Sequence, residues 1–394
     1  MINLHRMIKL MRMVVVLVAF AIPCIIINTS AFALPVCNQT TTLTRPIPMG
    51  VSGGNIKARQ RVSRTLIECC GGTLGSLVVD KKGVDFILSN NHVLGRTNKS
   101  GKGDRIVQPG LVDTSCTQIP ADTVAKSPRR ITLLFKKGSV NQVDAAIAKI
   151  VSGEVDTDGD ILNIGPISAT TDDAPAFDQA VQKQGRTTCL TTGTVFALDV
   201  KMDVLYTKEC NGGKGGVATF VKQILVAADP GTIFVQPGDS GSLVVTKPIS
   251  GCPQAVGLLF AGDSGGTIAL LNPIASVLKH FKVKMVGTCV GPALASASDS
   301  TTNPADASSA STNSALSETS APVIAASAIK DRHESDLFKI PGVIGTGIGA
   351  ADQPGKVAIQ VYVDHATSQI DSAVPAKLEG IPVKVIETGQ FTAF

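Results

Sequence analysis

Gly-Asp-Ser-Gly occurs twice in this chain, as "QPGDSGSLVV" around Ser240 and as "FAGDSGGTIA" around Ser264. A serine hydroxyl is a weak nucleophile until a base within hydrogen-bond reach takes its proton, and that base needs an acid to hold its tautomer. Histidine is the usual base, and the chain has five. His5 belongs to the N-terminal signal segment, His280 to a helix-like stretch, and His333 and His365 to the C-terminal region. His92 is left, at the end of the strand-like "FILSNNHVL", where a strand gives way to a loop. Asp144 follows in "NQVDAAIAKI", a carboxylate at the mouth of an apolar run. The order histidine, acid, serine is complete, and the chemistry it supports is acyl transfer through a covalent intermediate.

Three such groups need a rigid frame, and the composition favours a β frame. Apolar residues make up 44% of the 394, enough for a sizeable core, but aromatics are only 4% and Trp is absent, so Val, Ile, Leu and Ala must build it. "TLGSLVVD", "VDFILSNNHV", "DAAIAKIV", "TTGTVFALDV", "GTIFVQP", "SLVVT" and "AVGLLFA" are short apolar or alternating runs punctuated by Gly, Pro, Asn and Asp. That is the pattern of an all-β sandwich or barrel. "NPIASVLKHF" at 272–281 reads as a helix, with Asn272 as its cap and Pro273 in the first helical position.

Residues 1–33 read as a signal peptide. A basic start with Arg6, Lys9 and Arg12 precedes "MVVVLVAFAIPCIII", and Ala31 and Ala33 stand at the spacing a signal peptidase reads. Pro23 and the polar "NTS" make the apolar run short for a retained span, so no stable membrane insertion is expected once it is removed. Removal takes three basic residues from a formal charge of +5, leaving +2, a near-balance that excludes nucleic acid as an expected partner. It also takes Cys24 from the nine cysteines and leaves eight. An even number in an exported chain suggests disulfides. Adjacent Cys69 and Cys70 are not expected to pair with each other, whereas Cys189 and Cys210 bracket what reads as a hairpin. The spacings are not those of a zinc site. "DTDGD" at 156–160 reads as a turn, with Ile167 where a calcium loop would need Glu, so no metal or cofactor is expected.

Beyond the signal, residues 34–49 form an N-terminal extension and 50–289 the β-rich body. Residues 290–326 are dominated by Ser, Ala and Thr and cannot bury enough apolar surface to offset their ordering entropy, so they read as a flexible linker. Residues 327–394 begin with a helix-like "AIKDRHESDLFKI" and continue with "VIGTGIG", "KVAIQVYVD" and "IPVKVIE", a small α+β module.

With "LSNNHVL" around His92, "VDAAIA" around Asp144 and "PGDSGSLVV" around Ser240, the body resembles the trypsin/chymotrypsin-like serine proteases. "GTLGSLVVDKKGVDFILSNNHVL" is similar to the bacterial secreted branch of that clan, and "GRTTCLTTGTV" from Gly185 also resembles the plant narrow-leaf-type trypsin-like proteases. The resemblance implies two packed six-stranded β-barrels followed by a C-terminal helix. It also separates the two serines. In such enzymes the nucleophile is followed by a strand, a hairpin, substrate-lining strands and the terminal helix. After Ser240 come "SLVVT", "KPISGCPQ", "AVGLLFAG", "TIALL" and the helix; after Ser264 only one short strand and the helix remain. Ser240 is therefore the expected nucleophile, and Ser264 turn chemistry.

The resemblance assigns the roles. Ser240 attacks a peptide carbonyl, His92 is general base and then acid, and Asp144 orients it. Backbone N–H groups of Gly238 and Ser240 form the oxyanion hole, and Asp239 supports that turn. A freshly cleaved N-terminus supplies Asp239's partner in zymogens. Here "MGVSGGN" at 49–55 lacks a preceding basic residue, so another partner is expected and no tryptic activation. Leu259, Phe260, Ala261 and Gly262 should pair with an extended polypeptide substrate. Phe234, six positions before Ser240, is the expected pocket floor and disfavours a charged side chain there; Asp263 in the neighbouring loop could instead attract Lys or Arg. The expectation is a secreted or extracytoplasmic serine endopeptidase. The alternative is a catalytically silent protease-like binding or scaffold protein. A serine esterase is a weaker third reading, because "GDSGS" leads into a strand rather than a helix.

Overall fold

In the computed structural model, residues 40–207, 215–290 and 316–393 are described. The signal segment, the expected Cys189–Cys210 bridge and most of the expected linker lie outside them.

The apolar runs of the first half become β1 (Val51–Asn55), β2 (Arg59–Arg61), β3 (Ile67–Cys69), β4 (Gly72–Leu74), β5 (Ser76–Asp80), β6 (Asp85–Ser89), the one-turn helix α1 (Asn91–Leu94), β7 (Arg105–Val107), β8 (Thr123–Arg130), β9 (Val140–Asn141) and β10 (Ala146–Ile150). β1 pairs with β4 and β7, β7 with β8, β8 with β10, β10 with β6, and β6 with β5. β4 and β5 are one strand bent at Gly75, where a Cβ would run into the carbonyl oxygen of Gly241. The pairing thus returns on itself as a six-stranded barrel, whose strands place Leu77, Ile87, Leu88, Ile106, Val124 and Ile147 in one apolar cluster.

The second half contributes β11 (Ala180–Gly185), β12 (Cys189–Tyr206), β13 (Gly216–Ala228), β14 (Leu243–Thr246), β15 (Ala255–Gly262) and β16 (Ile268–Pro273). Following the pairs β11–β12–β13–β16–β15–β14–β11 closes a second six-stranded barrel. α2 (Ile274–Phe281) then packs Ile274 and Val277 into the first barrel's core, and β17 (Val283–Met285) adds to β5. The double barrel with its C-terminal helix is the expected architecture. Disulfides join Cys69 to Cys116 and Cys252 to Cys289; Cys70 and Cys189 are disulfide-bonded as well. Cys69 and Cys70 do not pair with each other, as expected.

Several boundaries differ from expectation. "GTIFVQP" at 231–237 is irregular rather than a strand, its backbone turning at Asp229 and toward Gly266. At the end of the expected extension, Ile47 and Met49 are fully buried and bridge to Val155 and Ile161. The last residues of the expected linker are ordered too. Phe177 N–H donates to Leu316 O at 2.9 Å, and α3 (Ala321–Leu337) starts seven residues before the expected helix. Pro322 in the first turn, rather than Ala328, marks its start, as Pro fits where helical N–H groups have no partner. "DTDGD" is a turn, with Asp158 N–H donating to Asp156 Oδ1 at 3.0 Å.

The C-terminal module comprises α3, β18 (Val343–Ala350), β19 (Val357–Val363), α4 (Ser368–Ala373), β20 (Lys377–Leu378), β21 (Ile381–Glu387) and β22 (Phe391–Ala393). Its α+β character is as expected, but its attachment is not. β18 pairs antiparallel with β12, and β22 lies between β12 and the end of β15, so module and second barrel share one sheet. Ile348 and Ile359 join the barrel's apolar core, each contributing about 1.5–3 kcal/mol on full burial.

Candidate active site

β6 ends at Ser89 against the bent strand β4–β5, and the chain turns at once into α1, which carries His92. His92 therefore sits on a helical turn, not at a strand end. Asp144 precedes β10, the strand paired with β6. His92 Nδ1 lies 2.6 Å from Asp144 Oδ2, with His92 at 6% exposure and Asp144 at 0%. The other oxygen, Oδ1, accepts from the backbone N–H groups of Asn91 at 2.7 Å and His92 at 3.2 Å. The carboxylate thus fixes both the ring and the backbone that carries it.

Two residues complete this setting that were not expected there. Tyr206, at the end of β12, donates its hydroxyl to Asp144 Oδ2 at 2.7 Å. Burial, with the Asp144 charge alongside, pushes the Tyr206 phenol well above its ordinary range, so it stays a donor. Asn272 is not a helix cap. It lies in β16, α2 begins after it, and its Oδ1 accepts the backbone N–H of Asp144. The one cue in the sequence for Tyr206 was rarity, since the chain has two tyrosines.

The turn at 238–241 is bound to the first barrel through Thr73. Its N–H donates to Ser240 O at 2.8 Å and its hydroxyl to Gly238 O at 3.0 Å, while its own carbonyl accepts from Ser89 Oγ at 2.7 Å. One residue of β4 therefore ties the end of β6, which leads into α1, to the serine turn. Gly238 has φ +101°, and a Cβ there would strike Thr187 Oγ1 and Arg186 Nη1, so both conformation and space demand glycine. Within the turn, the N–H groups of Asp239, Gly241 and Ser242 are used by Gln236 O, Leu259 O and Asp239 O. Among the described residues, those of Gly238 and Ser240 donate to no protein acceptor. Ser240 is fully buried, and its hydroxyl donates to Phe260 O at 3.2 Å.

Asp239 is locked from the far side. Its Oδ1 accepts from Thr187 N at 2.8 Å and Thr188 N at 3.0 Å, and its Oδ2 from Thr188 Oγ1 at 2.7 Å and Gln236 N at 2.9 Å. Lys183 Nζ stands 3.5 Å from Oδ2, and both side chains are completely buried. Lys183 also donates to Thr188 Oγ1 and to Cys189 O. Burial pushes the Lys183 ammonium below the usual lysine range, and Asp239 pulls it back up. The sequence named no partner for Asp239, and Lys183 is the cation that faces it here. Its signal was an inward position: in β11 it falls on the same face as fully buried Val181.

The expected substrate residues divide. Phe234 is fully buried in the second barrel's core, with the Lys183 ammonium 5.8 Å from its ring centre, so it does not present a pocket floor to solvent. Asp263 cannot serve as an open anionic attractor either. It is 6% exposed, and its carboxylate accepts from Ile268 N at 2.7 Å and Thr267 Oγ1 at 2.9 Å, closing the β15–β16 turn. Ser264 is exposed on that turn, which is turn chemistry as expected. Leu259 N–H donates to Ser242 O at 3.0 Å, and Phe260 O accepts the Ser240 hydroxyl. Ala261 and Gly262 already carry an extended strand, β22 of the same chain.

No family model and no curated protein matches this chain. Among solved structures it is similar to Thermobifida fusca protease A, at 18% identity and a TM-score of 0.38, over 61% of this chain and 99% of that one. A Nocardiopsis protease is similar at 16% identity and a TM-score of 0.37, over 61% and 98%. A Cellulomonas bogoriensis chymotrypsin is similar at 18% identity and a TM-score of 0.37, over 61% and 99%. These are bacterial chymotrypsin-like serine proteases, and the likeness is one of fold.

Proposed function

We propose that this chain is an exported serine endopeptidase in which Ser240 is the nucleophile, His92 the general base and then acid, and Asp144 the carboxylate that orients it. The observation that carries the reading is the buried 2.6 Å contact between His92 Nδ1 and Asp144 Oδ2, beside a serine turn whose Gly238 and Ser240 N–H groups meet no acceptor among the described residues. An ionised carboxylate only accepts, so Nδ1 carries the proton and Nε2 of the neutral ring is the basic nitrogen. Ser240 Oγ, now donating to Phe260 O, gives its proton to Nε2 as it attacks the peptide carbonyl carbon. Charge collects on the carbonyl oxygen, where the Gly238 and Ser240 N–H groups receive it. Donors of this kind are each worth about 2.7–4 kcal/mol in the transition state. Collapse expels the amine, which takes the proton from Nε2 and leaves an acyl-serine; water, deprotonated by the same nitrogen, then releases the acid. Asp239, pinned by Lys183 and Thr188, holds the two donors in place throughout.

Disulfides favour an oxidising compartment, in keeping with export through the 1–33 segment. Among the described residues no helix is long and apolar enough to cross a membrane. The test is labelling by a fluorophosphonate probe. We expect labelling that Ser240→Ala abolishes and Ser264→Ala leaves intact; a folded sample that neither labels nor cleaves casein would overturn the reading.

A further inference from the structure

The substrate-pairing edge of the second barrel is occupied by the chain's own β22. β15 is held by β14 as far as Leu258; Leu259 then bonds the serine turn, Phe260 O takes the Ser240 hydroxyl, and Ala261 and Gly262 pair with Ala393 and Thr392. The pairing is antiparallel, so β22 runs from Gly262 toward Phe260, and hence toward Ser240. That is the direction in which the acyl half of a substrate must run to bring its carbonyl to a nucleophile at Ser240. A peptide in this register places the residue after the Ala393 position opposite Phe260, beside the Ser240 hydroxyl.

The side chains follow the alternation of an extended strand. Phe391 is fully buried and Ala393 is 8% exposed, while Thr392 between them is partly exposed. Phe391 pairs with Val204 and belongs to the same buried apolar cluster as Tyr206, Phe220 and Phe260, at the ends of β12 and β15. Tyr206, which donates to Asp144, also pairs with Ala393 through its backbone. The strand thus lies between the candidate acid's hydrogen-bond partner and the strand that carries Phe260.

We propose that β22 is a substrate-like segment bound in cis, and that the pocket holding Phe391 is a specificity subsite for a large apolar side chain three residues before the one whose carbonyl is attacked. This rests on Ser240 being the nucleophile. The enzyme then prefers polypeptides with an aromatic residue at that position, and the C-terminal module competes with them for the same edge.

Two experiments on the full chain test this. In the first, wild type, Phe391→Ser and Thr392→Pro are compared on acetyl-Phe-Thr-Ala-Phe-coumarylamide and on its counterpart with Ser in the first place. We expect the variants to raise kcat/KM for the Phe-first peptide at least tenfold over wild type, and to cut it at least tenfold better than the Ser-first peptide. Variants that react with fluorophosphonate at the wild-type rate but cut neither peptide faster would overturn the proposal alone. Absence of fluorophosphonate reaction in all three would take down the endopeptidase reading, and this proposal with it. The second experiment needs no variant. Wild type alkylated by acetyl-Phe-Thr-Ala-Phe chloromethyl ketone should show backbone amide exchange at 391–393 at least tenfold faster than the free protein. Unchanged exchange in fully alkylated protein would show that β22 does not share the groove, and would overturn it.

Discussion

The loops at 238–241 and 262–265 carry the same four residues, and their aspartates are held by different kinds of partner. Asp263 bonds Thr267 and Ile268, four and five positions on, and closes the hairpin it stands in. Asp239 bonds Thr187 and Thr188, more than fifty positions back, and faces a buried lysine on β11. One carboxylate shapes a local turn; the other ties a turn to a separate strand. Local bonds leave Ser264 exposed on a hairpin tip, whereas the distant ones leave Ser240 buried between two barrels, beside backbone donors with no acceptor among the described residues. A tetrapeptide supplies the turn, and its partners decide what the turn is for.

The sharpest way to break this comparison is to remove each hydroxyl. Ser240→Ala should lower kcat on a casein-derived peptide on the order of 10⁶-fold, and Ser264→Ala less than about twofold. Next come the carboxylates' supports. Lys183→Met leaves Asp239 buried without its cation and should cost about 3–5 kcal/mol in urea unfolding. Asp263→Asn, losing local bonds only, should cost about 1–2 kcal/mol. Adding Asp239→Asn to Lys183→Met should recover part of the larger loss, the sign of a coupled pair. Tyr206→Phe removes one donor from Asp144 and should lower kcat about tenfold with KM little changed. The smallest effect belongs to Glu379, a surface carboxylate that extends the comparison to water. Its hydrogen bonds to Arg332 and His333 lower its folded value to about 2 from 4.5. A lowered carboxylate stabilises the fold above its unfolded value and loses that contribution as pH falls from about 4.5 toward 2. Glu379→Gln should therefore lower the urea midpoint slightly at pH 7, where the contribution is fully present, and flatten its decline as pH falls from about 4.5 toward 2.

The candidate residues could be picked out because their neighbours are written in chain order. The strand material after Ser240 distinguishes it from Ser264, and the short apolar runs around His92 and Asp144 announce barrel strands. Asn272 was misread because Asn before Pro is a common helix start, and nothing local says that its side chain turns back to Asp144 N–H. Phe234 was misplaced by counting positions: the irregular path of 231–237 carries it into the core. Lys183 and Tyr206 act across the sheet, on partners 56 and 62 residues away, and hydrophobic periodicity reports which face a residue takes but not which group it meets. The greatest gap is the module. "IETGQFTAF" shows an ordinary terminal strand, and no pattern within it points to β15.

The pairing of Ala261 with Ala393 spans 132 residues, against nine for Ala261 with Leu270 in the neighbouring hairpin. Closing the longer loop costs about 2.4 kcal/mol more chain entropy than closing the shorter one, and contacts so distant in sequence form slowly. During synthesis the β15–β16 hairpin exists before any residue of β22 has been made. The nascent chain therefore passes through a stage in which both barrels can fold while the edge beside Ser240 is still bare, and the order of translation alone separates assembly of the cleft from its covering.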